Sequence, residues 1–323
     1  MTVPARIEGQ PRVVVGPVPG PDWVRAAVEA GGGVIVDPAE AEAVVWGGPP
    51  NDVDGLKSLV RAAKDARWVQ LPWAGVEFYV AAGVFDHDHV WTCGKGVYAE
   101  EVAEHALALA LAGLRDLPDR IRATSWAKQS GISLYDGRVT ILGGGGITEA
   151  LLPLLAPMRV DVTVVRRSPQ PMPGATRTVC VFDDDGESPR ERVHQTLVGA
   201  DVVFLALALT PETTGIIDAA ALDAMESHAW LINVARGQHV VTDDLVDALR
   251  RRTIGGAGLD VTDPEPLPDG HPLWDLPNCI ITPHTANTAE MARPVLTARI
   301  TENVRRFGAG EPLIGPVDPD LGY

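Results

Sequence analysis

Disulfide chemistry has little to work with in this chain, whose 323 residues include three cysteines. Cys93, Cys180 and Cys279 lie far apart, each in or beside an apolar run. An odd, scattered set gives no disulfide framework and no CxxC metal pair, so reduced core thiols in a cytoplasmic protein are expected. Basic residues are also few: 27 Lys and Arg stand against 43 Asp and Glu, a formal net charge of −16. Lacking a basic face, the chain is a poor partner for nucleic acid or for an anionic membrane. No uncharged apolar run approaches the ~18 residues of a membrane helix. Residues 1–10 lack the charged-then-apolar order of a signal peptide, so none is expected. No internal repeat is visible, and the 33 Gly and 27 Pro follow no period, which excludes collagen-like and low-complexity chains.

What remains is a globular composition, 46% hydrophobic and 22% charged, with length enough for two domains. Strands are expected at 12–16, 33–36, 43–46, 68–71 and 90–93, with helices at 21–30 and about 53–66. Such alternation argues βαβ units, a parallel sheet and the α/β class. Residues 100–114 are strongly helical and nearly apolar all round after His105, which places this helix in a core or a subunit interface. A second series of strands is expected at 139–142, 160–165, 178–182, 202–207, 230–234, 256–261 and 280–281, and one long helix at 290–307.

The sharpest local signal is Val139-Thr-Ile-Leu-Gly143-Gly-Gly145-Gly146-Ile147-Thr148. A strand running into glycines that open a helix is the context of a dinucleotide-binding turn. Gly143 allows the tight turn, and Gly145 lets the backbone approach a pyrophosphate at the helix N-terminus. Thr148 stands in place of the third glycine, which should alter helix–strand packing more than phosphate contact. In NAD-binding turns a carboxylate ~20 residues on holds the ribose diol. Here the next strand ends in Arg166-Arg167-Ser168, two guanidinium groups and a hydroxyl suited to a 2′-phosphate. NADP(H) is therefore expected in preference to NAD(H), which stays possible.

Ligands of open α/β sheets bind beyond the carboxyl ends of the strands. Residues 230–235 stop at Arg236, residues 256–259 at Asp260 with Glu265 five residues on, and Ile280-Ile281 at Thr282-Pro283-His284. The run 202–207 leads to Thr210-Pro211-Glu212-Thr213. Reduction of a 2-keto acid needs a proton donor for the developing alkoxide, and His284 titrates in the right range. A carboxylate on its far nitrogen, Glu265, would orient the ring and raise its pKa. The Arg236 fork could hold a carboxylate and a polarised carbonyl together. Arg236 and Glu265 could also simply pair with each other. Asp86-His87-Asp88-His89 is expected to be a solvated loop rather than a metal cluster. His105 is expected to be a satisfied core or interface histidine, and the spacing of His194, His228, His239 and His271 asks for no chemistry.

These motifs are familiar together. Leu231-Ile-Asn-Val-Ala235-Arg236-Gly, Leu259-Asp260-Val-Thr-Asp-Pro-Glu265-Pro-Leu and Thr282-Pro-His284 resemble the D-isomer-specific 2-hydroxyacid dehydrogenase family, as do Thr210–Gly215, Gly96 with Val102-Ala-Glu104, and Trp68–Gly75. The resemblance implies two Rossmann-like α/β domains with parallel sheets. A discontinuous, flavodoxin-like substrate domain would span 1–98 and 286–323, and a dinucleotide-binding domain 99–285. Hinge helices would lie near 100–114 and 286–307. By the family pattern Arg236 binds substrate, His284 is the acid/base and Glu265 its partner. Asp260 would hold the nicotinamide carboxamide, with Thr210 and Ala235 also on the cofactor. Backbone amides at Gly75 and Val76 would hold the substrate carboxylate. No metal is implied, and a homodimer through the nucleotide domain is expected, which suits the apolar helix after Glu104.

The Arg166-Arg167-Ser168 ending is similar to that of the family's NADPH-using glyoxylate/hydroxypyruvate reductases. Thr148 implies a helix set further from its strand. Ala208 stands where proline is usual, and Asn287 and Trp73 bring larger side chains to places expected near substrate. Three functions follow from the resemblance: a reductase of small 2-keto acids; a formate or phosphite dehydrogenase, the former disfavoured by Glu265; and a nucleotide-sensing regulatory protein that keeps the fold.

Overall fold

Valine-rich runs with both faces apolar build the first sheet of the computed structural model, which describes residues 6–126, 128–181 and 188–322. Strands β1 (Arg12–Gly16), β2 (Val34–Ile35), β3 (Ala43–Trp46), β4 (Trp68–Gln70) and β5 (Val90–Thr92) pair in parallel in the order β2-β1-β3-β4-β5. This is the flavodoxin-like order. Along β1, Val13 and Val15 enter one apolar cluster and Val14 the other, as the two-residue period of a strand covered on both faces demands. Helices α1 (Asp22–Ala30), α2 (Val53–Ala62) and α3 (Glu77–Ala81) cover these faces with the C-terminal helix Ala289–Ala309, whose Leu296, Ile300, Val304 and Phe307 pack with Val24, Val28 and Trp68. This unit comprises Met1–Tyr98 and Thr288–Tyr323.

A buried polar network fixes the register of that last helix. Asn303, with no exposed surface, donates from Nδ2 to Gln70 Oε1 (2.8 Å) and to the Ile314 carbonyl (2.9 Å), and accepts from Ile314 N (2.8 Å). Gln70 Oε1 also accepts from Thr92 Oγ1 (2.9 Å), which in turn accepts from Trp68 Nε1 (2.8 Å). Nearby, the Tyr98 hydroxyl donates to the Pro72 carbonyl at 2.6 Å and Gly94 N to the Trp73 carbonyl at 2.9 Å. These bonds hold the loop after β4 that carries Gly75 and Val76. In the loop 86–89, Asp86 binds the backbone N–H of Asp88 and His89 and the His89 ring, a local turn among polar groups.

The second unit, Ala99–Asn287, holds strands β6 (Arg138–Leu142), β7 (Asp161–Arg166), β8 (Arg177–Cys180), β9 (Val202–Leu205), β10 (Trp230–Asn233), β11 (Gly256–Leu259) and β12 (Cys279–Ile281). All pair in parallel, in the order β12-β11-β10-β9-β6-β7-β8. The helices are α4 (Ala99–Leu114), α5 (Leu117–Arg122), α6 (Gly146–Leu155), α7 (Pro189–Leu197), α8 (Ala219–Ala224), α9 (Thr242–Arg251) and α10 (Pro272–Asp275). Strand order reverses between β6 and β9, so the loops after these two strands part and leave a crevice, the topological switch point of a dinucleotide fold. Phe182, expected to end a strand, lies outside the described residues.

Of the two places open to the apolar helix α4, a core or a subunit interface, its packing on α6, β10 and β11 puts its buried face in this unit's own core. Ala286 and Asn287 stay with the second unit, not the first, because Ala286 N donates to the Asp260 carboxylate at 3.0 Å. Cys93, Cys180 and Cys279 are buried free thiols. No helix among the described residues is long and apolar enough to cross a membrane.

Replacing Asn303 by leucine strands the Ile314 N–H and removes one donor from Gln70. Unsatisfied buried groups cost about 1–3 kcal/mol each, so Asn303→Leu should lower the unfolding free energy by about 3 kcal/mol, measured by urea denaturation followed through tryptophan fluorescence.

Candidate active site

Seven parallel strands end on one edge of the second unit's sheet, and the candidate residues follow those ends. After β6, Gly143 takes φ +113°, and a Cβ there would stand 2.1 Å from the Ala206 carbonyl oxygen. Only glycine closes this turn. Gly145 is the N-cap of α6, and a Cβ built on it meets nothing within 4 Å. At this helix start the first N–H groups of α6, from Gly146 and Ile147, have no intrahelical acceptor, and the helix dipole favours an anion. The donor set and the space together fit a pyrophosphate. Thr148 is fully buried and donates its hydroxyl to the Gly143 carbonyl at 2.9 Å. In place of the expected spacer, the threonine is a brace between helix and turn.

At the end of β7 the Arg166 side chain lies along the same turn, since a Cβ on Gly144 would meet its Cδ and Nε at 2.9 Å, and its Nη1 reaches Met172 Sδ at 3.2 Å. Arg167 is exposed, and its carbonyl accepts from the buried Cys180 thiol at 3.1 Å. Ser168 Oγ accepts from Gln170 N at 3.3 Å. The loop after β9 is stitched by Thr213, whose hydroxyl accepts from Thr210 N and donates to the Ala208 carbonyl, each at 2.8 Å. A hydrogen bond from Thr210, with the Arg167 charge assisting, holds the Glu212 carboxyl below the usual range. Fully buried His239 sets Nδ1 3.0 Å from the Thr213 carbonyl and Nε2 3.3 Å from the Leu207 carbonyl, pinning the loop from below.

Polar side chains from the strand ends and from α9 tie the remaining turns. Asn233 accepts from Ala235 N (3.1 Å) and donates to the Arg236 carbonyl (2.8 Å), so Arg236 leaves β10 on a fixed backbone. Ala235 is buried, while Arg236 is partly exposed with Nη1 2.6 Å from the Ala235 carbonyl. Thr262 donates to the Pro264 carbonyl (2.9 Å) and Thr242 to that of Asp263 (2.6 Å), which holds the loop leading to Glu265. Asp260, 2% exposed, accepts from Thr282 Oγ1 (2.6 Å), Thr285 N (2.9 Å) and Ala286 N (3.0 Å). Its backbone carbonyl accepts from His284 N at 2.8 Å.

Gripped on both sides, His284 adopts φ +51°, uncommon for a side chain with a Cβ. The turn aims the ring at Glu265, and Nδ1 donates to Oε1 at 2.7 Å. Both side chains remain open, His284 53% and Glu265 40% exposed. The hydrogen bond to Glu265 holds the His284 pKa above its ordinary value, against burial and the Arg236 charge. The same bond holds the Glu265 carboxyl low. Burial works to raise the Asp260 pKa, but bonds from His105, Thr282 and the two backbone N–H groups outweigh it and keep the carboxylate ionised. A pair so tuned, with Nε2 free of Glu265, can carry a proton to a partner and take it back near neutrality.

Comparison with known proteins shows which family the chain falls in. Residues 105–286 match the family described as "D-isomer specific 2-hydroxyacid dehydrogenase, NAD binding domain". The chain belongs to that family. This 2-hydroxyacid dehydrogenase is 38% identical, over 92% of its length and 95% of the relative's, to an uncharacterized protein in the proB 3′ region of Corynebacterium melassecola. It is 34% identical to the human glyoxylate reductase/hydroxypyruvate reductase, over 67% of its own chain and 66% of the human one. A solved D-isomer specific 2-hydroxyacid dehydrogenase from Xanthobacter autotrophicus Py2, in complex with NADPH and MES, is similar with a TM-score of 0.80 and 29% identity, covering 98% of this chain and 100% of that one.

Within the second unit, then, the dehydrogenase gathers the glycine turn, Arg166–Ser168, Thr210, Ala235, Arg236, Asp260, Glu265 and His284 on one sheet edge. Gly75 and Val76 lie in the first unit, on the loop after β4. Among the described residues no group of three or more His, Cys, Asp or Glu could hold a metal ion. Sequence reasoning passed over Asn233 and Thr262, and read His239 as carrying no chemistry and His105 as a satisfied core or interface histidine. Asn233 and Thr262 sit inside the quoted motifs, and a polar residue in an apolar strand end is the signal that could have found them.

Glu265→Gln removes the charge that stabilises the imidazolium. The His284 titration midpoint, followed by NMR of the ring protons, should therefore move to lower pH, and the protonated share at neutral pH should fall.

Proposed function

We propose that this dehydrogenase reduces small 2-keto acids of the glyoxylate/hydroxypyruvate type with NADPH, giving D-2-hydroxy acids. The observation that carries the proposal is the 2.7 Å His284–Glu265 pair on the strand edge that also bears the glycine turn. Backbone N–H groups of Gly145, Gly146 and Ile147 would hold the pyrophosphate, with Gly143 shaping the turn and Thr210 and Ala235 on the same cofactor. Arg166, Arg167 and Ser168 favour a 2′-phosphate over a free ribose diol, because the strand end offers donors and no carboxylate. NAD(H) would then be the weaker cofactor. The NADPH carried by the Xanthobacter relative supports this preference.

When bound, the nicotinamide supplies the hydride for the keto carbon. His284 donates its Nε2 proton to the carbonyl oxygen as that oxygen gains charge, and Glu265 keeps the ring oriented and protonated beforehand. Arg236 forks toward the substrate carboxylate and the carbonyl oxygen, stabilising charge as it develops. Backbone amides of Gly75 and Val76 are assigned to the substrate carboxylate. Asp260 anchors the His284 turn and would hold the nicotinamide carboxamide. Homodimerisation through the second unit is supported by the apolar side chains it exposes, Ile121 at 80% and Trp126 at 98%.

The test follows reduced-nicotinamide absorbance with NADPH and NADH separately, against glyoxylate, hydroxypyruvate, pyruvate and phenylpyruvate. NADPH oxidation with a small keto acid supports the proposal; silence with both cofactors in folded protein moves the regulatory-protein reading ahead of it. General acid catalysis contributes about 10²–10⁴-fold, so His284→Ala should lower kcat by at least about 10²-fold while NADPH affinity, read by fluorescence titration, stays near wild type. Arg167→Ala should weaken NADPH by about tenfold or more, the worth of a charge-assisted hydrogen bond, and leave NADH nearly unchanged; equal losses would remove the 2′-phosphate assignment.

A further inference from the structure

His105 has no task in the chemistry above, yet it touches the turn that carries His284. Helix α4 packs on β11 at Gly258, where a Cβ would lie 3.0 Å from Leu109 Cβ. Four residues back along the helix from Leu109 is a rise of about 6 Å. Two residues onward from Gly258 is about 6.6 Å. With helix and strand running oppositely, His105 arrives level with Asp260. Its Nε2 stands 3.0 Å from Thr282 Oγ1 and 3.4 Å from Asp260 Oδ1.

Proton counting sets the direction of these contacts. The Thr282 hydroxyl has one hydrogen and gives it to Asp260 Oδ1 at 2.6 Å. Toward His105 that oxygen can only accept, so His105 presents an N–H at Nε2. The result is a polarised chain, imidazole N–H to hydroxyl to carboxylate, in which each bond strengthens the next. The carboxylate at its end is the group that takes Thr285 N and Ala286 N.

We propose that His105 is a positioning residue of the reduction: through Thr282 it fixes the Asp260 carboxylate and so keeps the 282–286 turn, with His284 at its φ of +51°, aimed at Glu265. The proposal rests on the assignment of His284 as proton donor. Without His105 the Thr282 hydroxyl loses its incoming donor and is free to rotate off Asp260, and the turn relaxes.

The experiment compares His105→Ala and His105→Gln with wild type. Glutamine can set a donor nitrogen near the place of Nε2, and alanine has none. Two readouts are taken: kcat and KM for NADPH-driven reduction of hydroxypyruvate, and hydrogen exchange at the amides of Thr285 and Ala286. A displaced catalytic group costs about 10–10²-fold. His105→Ala should therefore lower kcat by about tenfold or more with little change in either KM, and speed exchange at Thr285 and Ala286 but not along β6. His105→Gln should recover most of both. The proposal is overturned if His105→Ala leaves kcat and these amides unchanged, if glutamine rescues no better than alanine, or if exchange rises throughout the second unit. Should wild type reduce no keto acid at all, the reductase reading fails on its own, and exchange at Thr285 and Ala286 with the glutamine rescue still decides whether His105 holds the turn.

Discussion

A carboxylate with 2% of its surface exposed stays ionised only if donors replace the water it has lost, and at the end of β11 they do. Asp260 collects a hydroxyl, two backbone N–H groups and the edge of an imidazole, while its own carbonyl takes the His284 N–H. Those bonds draw the segment after β12 into a tight turn and force a histidine into left-handed backbone. The orientation of the His284–Glu265 pair, and hence the tuning of both groups, depends on that charge. Replacing Asp260 by alanine would remove the acceptor around which the turn is wound.

The same device recurs along the sheet edge in uncharged form. Asn233 binds the backbone on both sides of Ala235, Thr262 caps the path to Glu265, and Thr148 spans from helix to glycine turn. Each is buried at the rim of an apolar sheet, where a polar atom must find a partner and the nearest unpaired groups belong to the loop that follows. The candidate side chains are thereby carried on loops that their buried neighbours fasten. Arg236, Glu265 and His284 keep exposed surface because other residues do the fastening.

Much of this was legible in the chain. Alternating apolar runs located the strands of both sheets, since a parallel sheet covered on two faces leaves few polar interruptions. The glycine turn and the residues after β7, β10, β11 and β12 could be named because their chemistry is contiguous in sequence with a strand end. His105 could not, because its partner Thr282 is 177 residues away and a lone histidine on an apolar helix advertises nothing. What the size of Thr148 could not tell is that its hydroxyl bonds the Gly143 carbonyl. The boundary after Asn287 also depended on a distant bond, from Ala286 to Asp260.

The first unit is built from both ends of the chain, and its last helix is bolted to β4 and β5 through Asn303, Gln70 and Thr92. During synthesis this has a temporal consequence. Residues up to Tyr98 leave the ribosome early, yet the apolar faces of Val24, Val28 and Trp68 wait for a helix translated almost two hundred residues later. The internal unit, contiguous in sequence, can complete its core first. The N-terminal segment thus lacks its covering helix until residues 289–309 are made. A ribosome that stalls before the last helix would release a protein whose interior unit is whole and whose outer one has never closed.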